Sequence, residues 1–356
     1  MITPENPVGL LNIDHLEFTC EKLTTPTAEN FSGMGMLKTK QSKNRNSILF
    51  EQGQIRFLLT ANSESQSHSN KYFKNHGEGV CKISFRVENL EKSLEAALSR
   101  GGELVENITF IETKLGNFKK ASIKGFGDVL NEFVERPSEI FNPLFEEILI
   151  DEEYRPLKTR CSRIDHLTNN VPHGQMDFWV DFYKKLYGFK ETRYFDIKGS
   201  KTGLFSKVVQ SADHNIIIPI NEPETENGKS QIQEFLDRHK GPGVQHIALM
   251  TPNILSTVPE LKERQFKFLS VPQTYYDAIP TRPFKVQEPI ELLTQHGILV
   301  DGDQEGYLLQ LFTQDYIGPL FFEFIQRKNH WGFGEGNFKA LFEAIERDQL
   351  ARGYLK

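Results

Sequence analysis

The chain has 356 residues, long for one core and in the range where two domains form. Apolar residues make up 38% and charged residues 25%, the balance of a soluble globular protein, which excludes a disordered or fibrous chain. A net charge of −6 without a basic block argues against nucleic-acid binding, and no apolar run reaches membrane-spanning length.

The opening Met1–Pro7 has neither a basic nor an apolar segment, which predicts no secretory signal and a cytoplasmic location. Leu11–Phe18 reads as the first strand, and Ser47–Phe50 with Ile55–Leu59 reads as a hairpin around Glu51–Gln54. The polar run Ala61–Asn70 reads as a surface loop. Val80–Val87 follows as a strand, and Leu90–Arg100 as an amphipathic helix stopped by Gly101 and Gly102. Val129–Arg136 ends this set of strands. Pro137 to Thr159, with Glu146, Glu147, Asp151, Glu152 and Glu153, reads as an interdomain connection. Cys20, Cys81 and Cys161 are far apart and lack C-x-x-C spacing, which suits free thiols.

From Arg163 onward the chain echoes itself. Arg163–Leu167 repeats Asn12–Leu16, Gly243–Leu249 repeats Gly79–Phe85, and Gly318–Arg327 repeats Gly127–Arg136. The spacing between echoed residues grows along the chain, so the second copy carries insertions. Gln175–Tyr187 sets Phe178, Trp179, Phe182, Tyr183 and Leu186 at helical spacing and closes at Gly188. Thr192–Ile197, Phe205–Val209 and Asn215–Ile220 surround it as strands. The expected fold is α+β, with two homologous halves, 1–150 and 151–356. Each half would hold paired βαβββ modules forming a cupped, largely antiparallel sheet.

One stretch raises a chemical question. In Phe321–Ile325, strand alternation puts Phe321, Glu323 and Ile325 on one face and Phe322 and Phe324 on the other. Both faces are apolar, and a buried ionised carboxylate needs a partner, hydrogen bonds or a metal. The repeat supplies the comparison: His166, His246 and Glu323 stand where the first half has His15, Lys82 and Glu132. Two imidazoles and a carboxylate are the composition of a facial triad for non-haem Fe(II), although zinc uses the same ligand types. A protonated Lys82 has no lone pair, so the first half reads as degenerate and structural. His68, His76, His173, His214, His239, His296 and His330 read as surface or hydrogen-bonded residues.

These residues, together with further motifs, resemble the 4-hydroxyphenylpyruvate dioxygenases of the vicinal oxygen chelate superfamily. The resemblance is carried by Ile164–Thr168, Arg193–Gly199, Pro219–Glu222, Gly243–His246, Leu308–Phe312, Phe321–Arg327 and Gly332–Phe338, the last two being the most specific. It implies an Fe(II) enzyme converting 4-hydroxyphenylpyruvate and O₂ into homogentisate and CO₂ in tyrosine breakdown. The substrate's own keto acid would take two open iron positions and O₂ the third. The resemblance implies substrate contacts at Ser206, Pro219, Asn221, Gln231, Gln245 and Gln310, with Ser206, Asn221 and Gln310 in catalytic roles. Phe312, Phe321, Phe333 and Phe338 resemble the ring-clamping residues. Alternation argues against Gln245, which precedes His246 and should point the other way in a regular strand. The family also implies a homodimer or homotetramer. Hydroxymandelate synthase, an extradiol dioxygenase and a non-catalytic small-molecule-binding protein of the same fold are the competing readings.

The C-terminal residues predict a helix in which Asn337 caps the start and Gly353 ends it. Phe338, Leu341, Phe342 and Ile345 give it an apolar stripe. Gly332, Gly334 and Gly336 read as a hinge before it. Composition alone makes this a core-packing helix; the resemblance makes it a lid over the iron.

Overall fold

The computed structural model describes residues 2–62, 66–148, 160–199, 202–225 and 229–354. The first βαβββ module is β1 (Leu10–Cys20), α1 (Pro26–Gly33), β2 (Leu37–Ser42), β3 (Ser47–Gln52) and β4 (Ile55–Ala61). After α2 (His68–His76) comes the second, β5 (Gly79–Val87), α3 (Leu90–Ser99), β6 (Leu104–Thr113), β7 (Gly116–Lys124) and β8 (Leu130–Glu135), followed by β9 (Phe145–Glu147). The third is β10 (Arg163–Asn170), α4 (Met176–Tyr187), β11 (Lys190–Lys198), β12 (Gly203–Gln210) and β13 (Ile217–Pro223). After α5 (Gln231–His239), the fourth has β14 (Gly243–Met250) and α6 (Ile254–Glu263), then the inserted α7 (Gln273–Asp277) and α8 (Ile290–His296). It ends with β15 (Leu299–Gly302), β16 (Tyr307–Phe312) and β17 (Phe321–Lys328), and α9 (Phe338–Ala351) completes the described chain.

The strands form two curled mixed sheets, in the orders β6-β7-β8-β5-β1-β4-β3-β2-β9 and β11-β12-β13-β10-β14-β17-β16-β15. Within each module the first and last strands pair in parallel, as in β1 with β4 and β14 with β17, while the other neighbours are antiparallel. Two modules join through the antiparallel pairs β1–β5 and β10–β14. The expected α+β architecture of two homologous halves is what the chain adopts. A single core runs through both, and Phe57 stacks on Phe322 across them with ring centroids 6.2 Å apart. The same junction holds a polar clasp, in which the Tyr72 hydroxyl lies 2.8 Å from His239 Nε2.

Some local expectations change. Ser67 caps α2 by accepting from the Asn70 amide, so the polar run from Ala61 ends as a helix start. Positions 63–65 of that run lie outside the described residues. Phe145–Glu147 of the connection pairs with β2 as β9, and positions 149–159 lie outside the description. Asn337 stands immediately before α9, where its carboxamide oxygen accepts from the buried Tyr275 hydroxyl, and a 3-10 turn at Glu335–Asn337 leads into the helix. Phe342 is buried and Ile345 half-buried, while the Leu341 side chain is outside the description. Gly353 ends the helix region in the left-handed conformation at φ 74°.

The glycine-rich stretch before α9 is shaped by close approach as well as by freedom. A Cβ on Gly334, which sits at φ +76°, would lie 2.3 Å from Gln310 Oε1. One on Gly336 would lie 2.3 Å from Asp301 Oδ1, and its N–H donates to Asp301 Oδ2 at 3.0 Å. Polar contacts then tie α9 down. Glu346 accepts from the Thr202 hydroxyl at 2.9 Å, and Gln349 and Arg352 both bond to Glu234 on α5.

The first half shows how its sheet holds charge without a metal. The Lys82 ammonium lies 2.8 Å from Glu106, 3.4 Å from Glu132 and 3.7 Å from Glu17. Burial alone would depress its pKa, but the three carboxylates hold it well above the usual lysine value. Lys82→Met leaves those carboxylates short of a cation inside the sheet. It is expected to cost about 3–5 kcal/mol of unfolding free energy. A fall in the urea midpoint at unchanged slope measures this; an unmoved midpoint speaks against the role.

Candidate metal centre

His166, His246 and Glu323 lie on β10, β14 and β17, three adjacent strands at the middle of the second sheet. The register sets His166 opposite Ala248, Ala248 beside Glu323, and His246 opposite Thr168. Among the described residues, this trio is the group whose ligand atoms all fall within 4.8 Å of one another.

Two β-bulges aim the histidines. Ile164 pairs with Leu249 and His166 with Ala248, leaving Asp165 as the extra residue on β10. Thr168 pairs with His246 and Asn169 with Val244, leaving Gln245 as the extra residue on β14. A bulge cancels the alternation of a regular strand. Gln245 therefore reaches the same cavity as His246, against the alternation argument, and its Oε1 lies 3.2 Å from His246 Nδ1. Asp165 in the same way turns its carboxylate onto His166 Nδ1 at 2.9 Å.

The outer groups fix which nitrogens face inward. With both Nδ1 atoms engaged, the Nε2 atoms turn to Glu323, at 3.2 Å for His166 and 3.7 Å for His246. Arg327 grips Asp165 from behind through two bonds of 2.8 and 2.6 Å. Burial would raise the Asp165 pKa, yet Arg327 and His166 hold it well below the usual carboxylate range. Burial would also lower the His166 pKa, but Glu323 and Asp165 override it and push it up to about 9. His246 is driven the opposite way, well below its ordinary value, by burial and then by the charge on His166.

The donor set fits a divalent transition metal. It offers two imidazole nitrogens oriented by their second nitrogens, plus a carboxylate, all buried or nearly so. The first half shows what closes such a site. There Ser84 stands in the place of Ala248, and its hydroxyl fills the gap between His15 Nε2, at 3.1 Å, and Glu132, at 2.9 Å. In the second half Ala248 supplies no hydroxyl, and His166 Nε2 faces Glu323 directly at 3.2 Å.

A cavity opens over the trio. Ser206, Pro219, Asn221, Gln231, Gln245, Phe312, Phe321, Phe333 and Phe338 line it together with His166, His246 and Glu323. Ser206 and Asn221 are cross-strand neighbours on β12 and β13. With β13 next to β10, β12 sits two strand spacings from the first ligand strand, roughly 10 Å away. Phe321 stacks on His246 at 4.8 Å and Phe333 meets His166 edge-on at 5.8 Å. No lysine or arginine lines the cavity among the described residues.

Residues 4–146 match the family described as hydroxyphenylpyruvate dioxygenase, N-terminal, and residues 163–279 match the glyoxalase/bleomycin resistance protein/dioxygenase superfamily. The 4-hydroxyphenylpyruvate dioxygenase of Pseudomonas aeruginosa is 39% identical over 99% of this chain and 98% of its own length. The chain belongs to the 4-hydroxyphenylpyruvate dioxygenase family. Protein MelA of Shewanella colwelliana is another relative, 39% identical over all of both chains. In fold, the chain is similar to a mutant of 4-hydroxymandelate synthase from Streptomyces coelicolor, with a TM-score of 0.83 at 24% identity over 96% of this chain and 99% of that one.

One residue that the dioxygenase resemblance put at the substrate is not among those lining the cavity. Gln310 is fully buried under Gly334, with neither amide atom hydrogen-bonded. The charge relay of Asp165 and Arg327 was missed by sequence reasoning, although both residues recur in the first half as Asp14 and Arg136, joined by bonds of 3.0 and 2.8 Å. Thr168, Phe195, Ile197, Leu204, Val208 and Phe342 also line the cavity, although none was singled out from the sequence as a substrate contact.

The charge on His166 predicts how metal binding depends on pH. A proton occupies the imidazole below about 9, and a metal has to displace it. Affinity of the metal-free protein for Fe(II) is expected to rise about ten-fold per pH unit from about pH 7 to 9 and then level off. Anaerobic titration against a chelator across that range checks the slope; a flat profile refutes it.

Proposed function

We propose that this chain is an Fe(II)-dependent dioxygenase converting 4-hydroxyphenylpyruvate and O₂ into homogentisate and CO₂ in tyrosine breakdown. The observation that carries the reading is the convergence of His166, His246 and Glu323 under a cavity walled by phenylalanines. Held by those three residues, Fe(II) supplies O₂ activation and a positive charge for the keto acid. Because the substrate carries its own keto acid, no separate 2-oxoglutarate is required.

The chain's own side chains do the rest. Asp165, anchored by Arg327, keeps His166 Nε2 turned toward Glu323. Phe312, Phe321, Phe333 and Phe338 sandwich the substrate ring and exclude water, which limits side reactions of a strong oxidant. Ser206 and Asn221 receive the phenol at the far end of the cavity. Pro219 shapes the wall beside them, and Gln231 and Gln245 line the same cavity, Gln245 next to His246. Gln310 contributes its unpaired amide once substrate shifts the loop that covers it. Residues 151–356 form the catalytic half and 1–150 the structural one, working as a cytoplasmic homodimer or homotetramer.

Oxygen uptake with 4-hydroxyphenylpyruvate and added Fe(II) tests the reading, and release of homogentisate is the expected product. Absence of uptake sinks it. A second reading, hydroxymandelate synthase, shares the fold of the solved relative and oxidises the same substrate at the benzylic carbon. Recovery of 4-hydroxymandelate would select it. The helix α9 acts as a lid, with Phe338 and Phe342 against the cavity. Truncation before Phe333 is expected to abolish turnover while bound iron and cooperative unfolding of the two sheets are kept, the circular dichroism losing only the signal of α9. Full activity in that variant would make α9 a packing helix only.

A further inference from the structure

Thr168 follows His166 by two residues on β10, is 1% exposed and lines the cavity. Its Oγ1 lies 2.9 Å from His246 Nε2. His246 Nδ1 faces the side-chain carboxamide oxygen Oε1 of Gln245 at 3.2 Å, an acceptor only, so Nδ1 carries the ring proton and Nε2 keeps its lone pair. The threonine hydroxyl is then the donor, and it occupies the same lone pair that a metal would take. Those two demands exclude each other. When a metal binds His246, the hydroxyl hydrogen must turn to another acceptor, and the cavity is where the space lies.

The first half supports a coupling between these two positions. Glu17 and Lys82 are the cross-strand pair equivalent to Thr168 and His246, and they too interact, as an ion pair of 3.7 Å. In the second half the pair is neutral, which suits a site that must accept a cation and an anion in turn. The cavity has no lysine or arginine among its described lining residues to meet an incoming carboxylate. A hydroxyl beside the metal position is a neutral donor for that charge.

We propose that Thr168 is a two-position hydroxyl: it caps His246 Nε2 in the metal-free protein and, once metal occupies that nitrogen, donates to the carboxylate of the keto-acid substrate. The second half of this statement rests on the substrate class proposed above; the first half does not.

The test compares the full-length protein with its Thr168→Val and Thr168→Ser variants under anaerobic conditions. Valine keeps the shape and removes the hydroxyl, whereas serine keeps the hydroxyl. Fe(II) is titrated first, against a chelator. Valine leaves a buried acceptor unsatisfied in the metal-free state, so Fe(II) is expected to bind about five-fold tighter, with serine like the wild type. 4-Hydroxyphenylpyruvate is then titrated into the Fe(II)-loaded proteins by calorimetry. Its binding is expected to weaken about ten-fold in the valine variant and to recover with serine. Equal Fe(II) affinity in valine and wild type overturns the capping role, and equal keto-acid affinity overturns the donor role. If the wild type takes up Fe(II) but no 4-hydroxyphenylpyruvate, the substrate reading falls and the Fe(II) arm alone decides for or against the cap. Should the valine variant fail to fold, Thr168→Ala against Thr168→Ser carries the same comparison.

Discussion

Glu323 is 3% exposed on a strand flanked by phenylalanines, and an uncompensated anion there would cost several kcal/mol. The architecture around it is arranged to meet that charge. His166 takes it up as an imidazolium, made possible by Asp165 behind the ring, which Arg327 in turn holds ionised. Charges alternate outward from the centre: carboxylate, imidazolium, carboxylate, guanidinium. A divalent ion entering between Glu323 and the histidines replaces a proton with a larger charge at the same point. The second sheet thus meets the buried charge of Glu323 with groups, His166 and His246, that could also hold a metal ion.

The first sheet meets the same constraint with a permanent cation. Its outer pair, Asp14 with Arg136, is kept, and so are His15 and Glu132. The inner positions differ. Lys82 brings an ammonium where the second half has His246, and Ser84 brings a hydroxyl where it has Ala248. Glu132 is held well below the usual carboxylate range against the burial that would raise it, by Lys120, Lys82 and His15. Exchanges at Lys82 and His246, Ser84 and Ala248, and Glu17 and Thr168 thus separate a sheet that carries its own cation from one whose central trio could hold a metal. Because Asp–Arg anchoring is common to both, it belongs to the fold, and the ligand chemistry is laid on top of it.

Much of this was legible in the chain itself. The internal echo fixed the equivalence of strands, and Phe321, Glu323 and Phe322 fall on the faces that alternation assigns, with Phe322 in the core and Glu323 on the cavity. What alternation could not reveal was the pair of bulges. A bulge is a matter of cross-strand register, set by which residues hydrogen-bond across β10 and β14, and single-strand periodicity carries no trace of it. Hence Gln245 was argued away from the cavity it lines. The setting of Asn337 was hidden for a related reason: local sequence shows its place before the helix, while its carboxamide oxygen also accepts from Tyr275, far away in the chain. Tyr275 belongs to the insertion between β14 and β15, whose packing has no counterpart in the first half to read it from.

The division of rigidity follows from where each contact is made. The three ligand side chains stand on central strands whose backbone bonds are buried on both sides, so their spacing is fixed by the sheet. The helix α9 is held differently. Its polar ties to the body described above are Glu346 with Thr202 and Gln349 and Arg352 with Glu234; each has a carboxylate acceptor, so each contributes about 1.5–3 kcal/mol. Its apolar contribution to the cavity comes from Phe338 and Phe342. These ties and the packing of Phe342 against Leu204, Ile232, Phe235 and Leu236 hold the helix to the body without touching the backbone of the three trio strands. The spacing of the trio is thus set by strand pairing, while the wall of the cavity is completed by side chains from a separate element, Phe338 and Phe342 of α9.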